Sequence, residues 1–145
     1  MTDTSMTTRT PWHLWAVGAV ALLWNGYGGF DYVMTQTNNA AYLAQFTPEQ
    51  RAYFASFPLW MDAVWAIGVW GGVLAAVLLL VRSKWAFHAF VASLIAFVAS
   101  VVYGQMSEGS AIMGTTGMIF SGVIFVLGLI FVMYSRMMTR KGVLR

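Results

Sequence analysis

The chain has 145 residues, of which 59% are hydrophobic and 9% are charged, and its formal net charge is +3. Soluble domains carry about 25% charged residues, so this chain is too poor in charge to cover a globular surface in water. It contains no cysteine, which excludes disulfides, thiolate metal sites and cysteine nucleophiles. The composition predicts a single integral membrane domain of the all-α class.

Four apolar segments predict four transmembrane spans within residues 11–138. They cover about residues 11–34, 58–81, 85–103 and 117–137, and each is close to the roughly 20 residues that a bilayer requires. Residues 1–10 predict a polar cytoplasmic tail, residues 104–116 a loop, and residues 139–145 a basic cytoplasmic tail. The first segment is long and is followed by polar and glycine residues, so we interpret it as a retained span rather than a cleaved signal. Glycines at positions 26, 28 and 29 predict that its helix loosens near its end.

A short helix is predicted between spans one and two. Thr47 and Gln50 stand three residues apart around Pro48, which is the pattern of a capping box. Tyr53 and Phe54 follow beside charged and amide side chains, which is typical of a helix lying in the membrane interface. The predicted fold is therefore a four-helix transmembrane bundle with one interfacial helix.

The basic residues predict the orientation of the bundle. With four spans, both termini and the turn between spans two and three lie on one side. That side collects seven of the eight basic residues, namely Arg9, Arg82, Lys84, Arg136, Arg140, Lys141 and Arg145. The positive-inside rule then places both termini in the cytoplasm. Nucleic-acid binding would need an interleaved basic patch, which the sequence lacks, so no nucleic-acid partner is predicted.

Two carboxylates, Asp31 and Asp62, fall at the outer ends of spans one and two. A buried carboxylate near a membrane face often marks a solute or proton site, and two close carboxylates raise one pKa. The simpler interpretation is that both face water, with Asp62 near a helix start where an anion is stabilised. That interpretation is favoured because carboxylates at a membrane boundary cost little.

Aromatic and amide side chains surround these carboxylates. Apolar walls with a few oriented polar groups suit a small polar solute such as a sugar. The predicted substrate-binding residues are Asn25, Asp31, Tyr32, Asp62 and Trp65. The alternative is an aromatic belt at headgroup level, which explains Trp60 better than it explains the deeper Trp65 and Trp70.

The sequence offers little support for catalysis or for a bound cofactor. His13 and His88 lie near the cytoplasmic ends of their spans, but no carboxylate in the spans nearby would orient them as ligands. No nucleophile triad, phosphate-binding glycine loop or metalloprotease motif is present. We predict that the protein is not an enzyme and has no metal or cofactor.

Three motifs carry a resemblance to a known family. They are W-N-G-Y-G-G-F-D-Y-V-M-T-Q-T-N-N-A-A-Y-L (residues 24–43), F-T-P-E-Q-R-A-Y-F-A-S-F-P-L-W (46–60) and W-A-I-G-V-W-G-G (65–72). Over nearly its whole length the chain resembles small four-span bacterial inner-membrane proteins that are often labelled "sugar transporter". The resemblance implies a bacterial inner-membrane location, and it implies no particular binding residues.

Two functions follow as hypotheses. The first is binding or transport of a small solute by a homo-oligomer, because four spans of this length hardly enclose a pathway alone. The second is a non-transporting accessory subunit that packs into a larger membrane complex through its glycine-rich helix faces. In both, the lipid bilayer is the surrounding partner.

Overall fold

The computed structural model describes residues 9–145, and within them the fold is all-helical, as predicted. Most of the predicted N-terminal tail lies outside the described residues. The helices are Trp12–Gln36 (α1), Ala40–Leu43 (α2), Pro48–Ala55 (α3), Leu59–Leu80 (α4), Trp85–Met106 (α5) and Gly109–Arg140 (α6).

Three of these helices, α4, α5 and α6, are long and apolar enough to cross a membrane. The protein is therefore a membrane protein by the character of its helices. Helix α1 is 25 residues long but is not among the three. Its tryptophans, histidine, asparagine and glycines leave it without a stretch as apolar as those of α4, α5 and α6.

The long helices pack antiparallel in chain order. Helix α1 lies against α4, α4 against α5, and α5 against α6. Gly18 faces Leu80, and ten residues later Gly28 faces Val69, so α1 and α4 run in opposite directions. Successive long helices therefore begin at opposite ends of the bundle.

Small residues allow close contact along this series of helices. Gly72 of α4 lies against the carboxamide of Asn25, and Gly68 lies against Ala96 of α5. The expected loosening of α1 at its glycines is wrong, because the helix continues unbroken to Gln36. One reason is packing, since Gly29 is buried against the ring of Trp70.

The segment between α1 and α4, residues 37–57, holds two short capped helices. Asn39 caps α2 by accepting a hydrogen bond from the backbone N–H of Tyr42, at 3.0 Å. Helix α3 begins with the predicted capping box, in which Thr47 and Gln50 each accept a backbone N–H from the other at 3.1 Å. We call residues 37–57 the capping segment.

The predicted loop at residues 104–116 is wrong. Helix α5 continues to Met106 and α6 begins at Gly109, so only two residues separate them. The helical path breaks instead at Gly114, whose φ of +69° lies in the left-handed region that favours glycine. The glycines and polar residues that indicated a loop form a first turn of helix before this kink.

The buried core lies nearer to the end where α1 begins and α6 finishes. It comprises Leu14, Ala21, Ala75, Ala76, Leu79, Ala86, Phe90, Phe131, Met138, Val143 and Leu144. Two of these residues, Val143 and Leu144, belong to the predicted basic tail. They dock on the α4–α5 turn, where the backbone N–H of Arg145 donates to the Arg82 carbonyl at 2.9 Å. The tail is thus part of the folded body.

Candidate functional site

Asp31 lies in the penultimate turn of α1 and is hydrogen-bonded to the capping segment. Its carboxylate accepts a hydrogen bond from the hydroxyl of Tyr42 in α2. The Tyr42 ring also meets Phe30 edge to face, with centroids 5.5 Å apart. Burial, followed by the hydrogen bond to Asp31, raises the pKa of Tyr42, so the phenol stays protonated and able to donate. This contact fixes α2 against α1.

Asp62 lies in the first turn of α4, where the partial positive charge of the helix start stabilises a carboxylate. It accepts a hydrogen bond of 3.0 Å from the side-chain amide of Gln36, the last residue of α1. Each candidate carboxylate thus has its own partner: the Asp31–Tyr42 bond ties the capping segment to α1, and the Gln36–Asp62 bond joins α1 directly to α4. We call these two bonds the latches.

Tyr32 and Trp65, two of the predicted binding residues, are in direct contact. Their rings meet edge to face with centroids 4.9 Å apart, and Trp70 lies 6.4 Å from Tyr32 on the other side. Phe57 at the end of the capping segment also meets Trp65, at 6.2 Å. Aromatic contacts of this geometry add stability beyond the area they bury. They connect α1, α4 and the capping segment.

Asn25 lies deeper along α1 than the other predicted residues. Its amide donates to the carbonyl of Ala21 at 2.8 Å, and its oxygen faces Gly72. It borders a cavity of about 40 Å³, which is lined by Trp24, Asn25, Phe90, Ser93, Leu94, Phe97, Ile124, Gly128 and Phe131. That volume accommodates a molecule the size of water. The walls are mostly aromatic and aliphatic, with Asn25 and Ser93 as the polar side chains.

The five predicted residues therefore occupy four places. Tyr32 and Trp65 form one aromatic contact, Asp31 and Asp62 form two separate latches, and Asn25 lines the internal cavity. Neither carboxylate lines this cavity, nor does either line an open cleft of about 500 Å³ between α3 and the start of α6. That cleft is bordered by Glu49, Ala52, Tyr53, Ser56, Glu108 and Ile112.

A second set of contacts ties the capping segment to α5 and α6, and the sequence did not reveal it. The hydroxyls of Tyr53 and Ser107 lie 2.7 Å apart, and Tyr53 packs directly on Gly109. Phe57 and Trp60 both meet the ring of Tyr103 edge to face, at 5.6 and 5.5 Å. These partners are 43 to 56 residues apart in sequence, so no local pattern could have paired them.

The two histidines lie in different surroundings. His13 Nδ1 is 2.5 Å from the hydroxyl of Tyr134 in α6, while His88 is exposed beside Trp85, with ring centroids 5.0 Å apart. Over residues 9–145, no group of three or more histidine, aspartate or glutamate side chains is placed to hold a metal ion. The hydrogen bond of His13 joins the start of α1 to the end of α6.

No protein-family model, curated protein or solved structure matches this chain. The resemblance to four-span inner-membrane proteins therefore stays a prediction, and the contacts of the candidate residues are the basis for a function.

Proposed function

We propose that the chain is a four-span protein of a bacterial inner membrane, with both termini in the cytoplasm. Helix α1 packs along α4 from Gly18 to Tyr32, and α4 is apolar enough to span. At 1.5 Å per residue its 25 residues measure about 37 Å, which exceeds the roughly 30 Å hydrocarbon thickness. A helix of that length, packed along a spanning helix, crosses the membrane together with it. The positive-inside rule supports the orientation.

We further propose that α3 lies in the outer membrane interface. Its aromatic side chains Tyr53 and Phe54 contact each other and Phe57, which follows the helix, while Glu49 and Arg51 are exposed. This division between an aromatic side and a charged side suits the headgroup region. The capping segment then covers the outer end of the bundle.

The function that the geometry supports best is binding or transport of a small solute, with the capping segment as a lid. The observation that carries this proposal is that the Asp31–Tyr42 bond ties the capping segment to α1, while the Gln36–Asp62 bond joins α1 to α4 close to where the segment begins and ends. Hydrogen bonds at these positions can break and re-form, which suits a capping segment that opens and closes. Below them lie the Tyr32–Trp65 contact and the cavity bordered by Asn25 and Ser93. Apolar walls with a few polar groups are the usual lining of a solute site.

The cavity sets a condition on the solute. Sites for organic ligands usually measure about 300–1,000 Å³, far more than the 40 Å³ present here. A sugar therefore requires the helices or the lid to move, and the sugar version of this proposal rests on the family resemblance alone. We propose a homo-oligomer, since a bundle this small offers sites at the contacts between helices or subunits.

Uptake into proteoliposomes tests the transport proposal. A panel of sugars and amines is offered to vesicles containing the wild type, Asp31→Asn, Asp62→Asn, or the control Glu49→Gln. Glu49 is an exposed carboxylate of the capping segment and belongs to neither latch. We expect both latch variants to change the uptake rate at least severalfold while the control matches the wild type. If no solute of the panel binds or moves, the proposal is wrong.

The second proposed function is an accessory subunit of a larger membrane complex. It is favoured by α6, which packs mainly on α5 and leaves much of its length exposed. The exposed side chains include Met118, Ile119, Phe120, Val123, Phe125, Val126, Ile130 and Met133. Purification of tagged protein in mild detergent separates the two functions. Stoichiometric recovery of another membrane protein supports the subunit, and recovery of the chain as an oligomer by itself supports the transporter.

A further inference from the structure

Charge is segregated between the two ends of the bundle. Arg51 and the four acidic residues of the described chain lie at the end that the capping segment covers: Asp31, Glu49, Asp62 and Glu108. The opposite end, called here the basic end, carries Arg9, Arg82, Lys84, Arg136, Arg140, Lys141 and Arg145. The remaining acidic residue, Asp3, lies outside the described residues. The described part of the basic end thus contains seven cations and no carboxylate side chain.

The fold holds three of these cations beside one another. The backbone N–H of Arg145 donates to the Arg82 carbonyl at 2.9 Å, and the Lys84 N–H donates to the Arg145 carbonyl at 3.0 Å. The Arg82 guanidinium donates to the Val143 carbonyl at 3.3 Å. Burial of Val143 and Leu144 anchors this arrangement. Like charges fixed at neighbouring backbone positions repel one another unless an anion neutralises them.

Tryptophans surround the same surface. Trp12 is 77% exposed, Trp85 is 58% exposed, and Trp15 is 48% exposed. The Lys84 ammonium lies 5.9 Å from the centre of the Trp85 ring, within the range of a cation–π contact. Indole beside a lysine at the end of an apolar helix is the arrangement that anchors proteins at phospholipid headgroups.

We propose that the basic end binds the headgroups of anionic phospholipids, with Lys84, Arg145 and Trp85 at the centre of the site. The phosphate supplies a negative charge that no side chain of the described basic end supplies, and the indole lies at the level of the glycerol backbone. Clusters of four or more lysines and arginines next to a membrane helix are attracted to anionic lipid in this way. The site is at the opposite end from the lid, so it stands independently of solute transport.

Quenching of tryptophan fluorescence by brominated lipid tests the proposal on the full chain. The protein is placed in nanodiscs of phosphatidylcholine containing a small fraction of brominated phosphatidylglycerol or, separately, brominated phosphatidylcholine. We expect the anionic lipid to quench at much lower mole fraction, and 0.5 M NaCl to abolish the difference. One cation near an anionic surface contributes about a fivefold change in affinity, so Lys84→Gln/Arg145→Gln should lose selectivity by about 25-fold.

Arg51→Gln is the matched control, because it removes a cation from the other end. It should retain wild-type selectivity. Equal quenching by the two lipids overturns the proposal, as does a folded double variant with wild-type selectivity. Equal competition by free glycerol phosphate also overturns it, because the site would then recognise phosphate rather than a lipid surface. If the double variant fails to fold, Arg140→Gln/Lys141→Gln, at two exposed positions, carries the same expectation.

Discussion

The contact between α1 and α4 at Gly72 supports a quantitative prediction for Gly72→Ala. A β-carbon at this position would overlap the Asn25 side-chain oxygen and lie 2.7 Å from Asn25 Cγ. Carbon atoms prefer about 3.5–4.0 Å, so the overlap is about 1 Å. Asn25 can yield only by rotating, which breaks its 2.8 Å bond to Ala21 and costs about 1 kcal/mol. Overpacking costs about 1–3 kcal/mol, so we expect the altered contact to lower the free energy of unfolding by about 2 kcal/mol.

Gly104→Ala is the matched control for this variant. A β-carbon at Gly104 would meet nothing within 4 Å, and the gain in helix propensity, about 1 kcal/mol, is common to both substitutions. The free energy of unfolding is measured by titration with sodium dodecyl sulfate in mixed micelles, followed by circular dichroism. The difference between the two variants should be about 2 kcal/mol, and it should disappear when Asn25→Ala is added to both. A Gly72 variant as stable as the control would refute the close approach of α1 and α4.

Three further predictions concern the ends of the bundle. Because burial and Asp31 raise the folded-state pKa of Tyr42, its contribution to stability is complete below about pH 10 and is lost as the pH rises above that value. The free energy of unfolding of the wild type, measured by chemical denaturation, should therefore fall between about pH 10 and 11.5. The Tyr42→Phe variant should lack the part of this fall that Tyr42 causes, and identical pH profiles for the two proteins would contradict the Asp31 contact. Gly109→Ala should displace the Tyr53 ring, whose Cζ lies 2.6 Å from the added β-carbon, and should shift the near-ultraviolet circular dichroism; an unchanged spectrum would argue against that packing. Leu144→Ala should cost about 2 kcal/mol or more and speed tryptic cleavage after residues 140 and 141, and wild-type cleavage would show that the tail is not docked.

Much of the helical architecture could be predicted from the sequence, because it depends on local patterns. The apolar segments located α4 and α5 to within three residues at each end, and Thr47 with Gln50 located the start of α3. Such features require only helical periodicity and capping chemistry.

Contacts between distant residues decided the features that sequence patterns missed. The glycines and polar residues of 104–116 favour a loop by composition, but Tyr53 packs on Gly109 and the segment forms helix. The basic residues of the C-terminal segment suggested a solvated tail, yet Val143 and Leu144 are buried against the α4–α5 turn. Tertiary packing overrides weak local preferences in both places.

The candidate residues stay a prediction as a binding set, and the structure shows only how they are arranged. Tyr32 and Trp65 are in contact, whereas each carboxylate has a separate partner within the chain. The sequence places Asp31 and Asp62 at the ends of neighbouring predicted spans. It does not show that Tyr42 and Gln36 are their hydrogen-bond partners.

Thiol labelling at Ser93 tests most directly whether the capping segment is a lid over the cavity. The chain has no cysteine, so Ser93→Cys places a single thiol in the cavity with little change in size. The rate of its modification by a membrane-impermeant methanethiosulfonate is compared with and without Tyr42→Phe. Cysteine at Ser110, an exposed position, reports any general change in reactivity. The lid predicts that loss of the Asp31–Tyr42 bond speeds labelling at position 93 at least severalfold and leaves position 110 unchanged. An equal rate at position 93 in both backgrounds would contradict it.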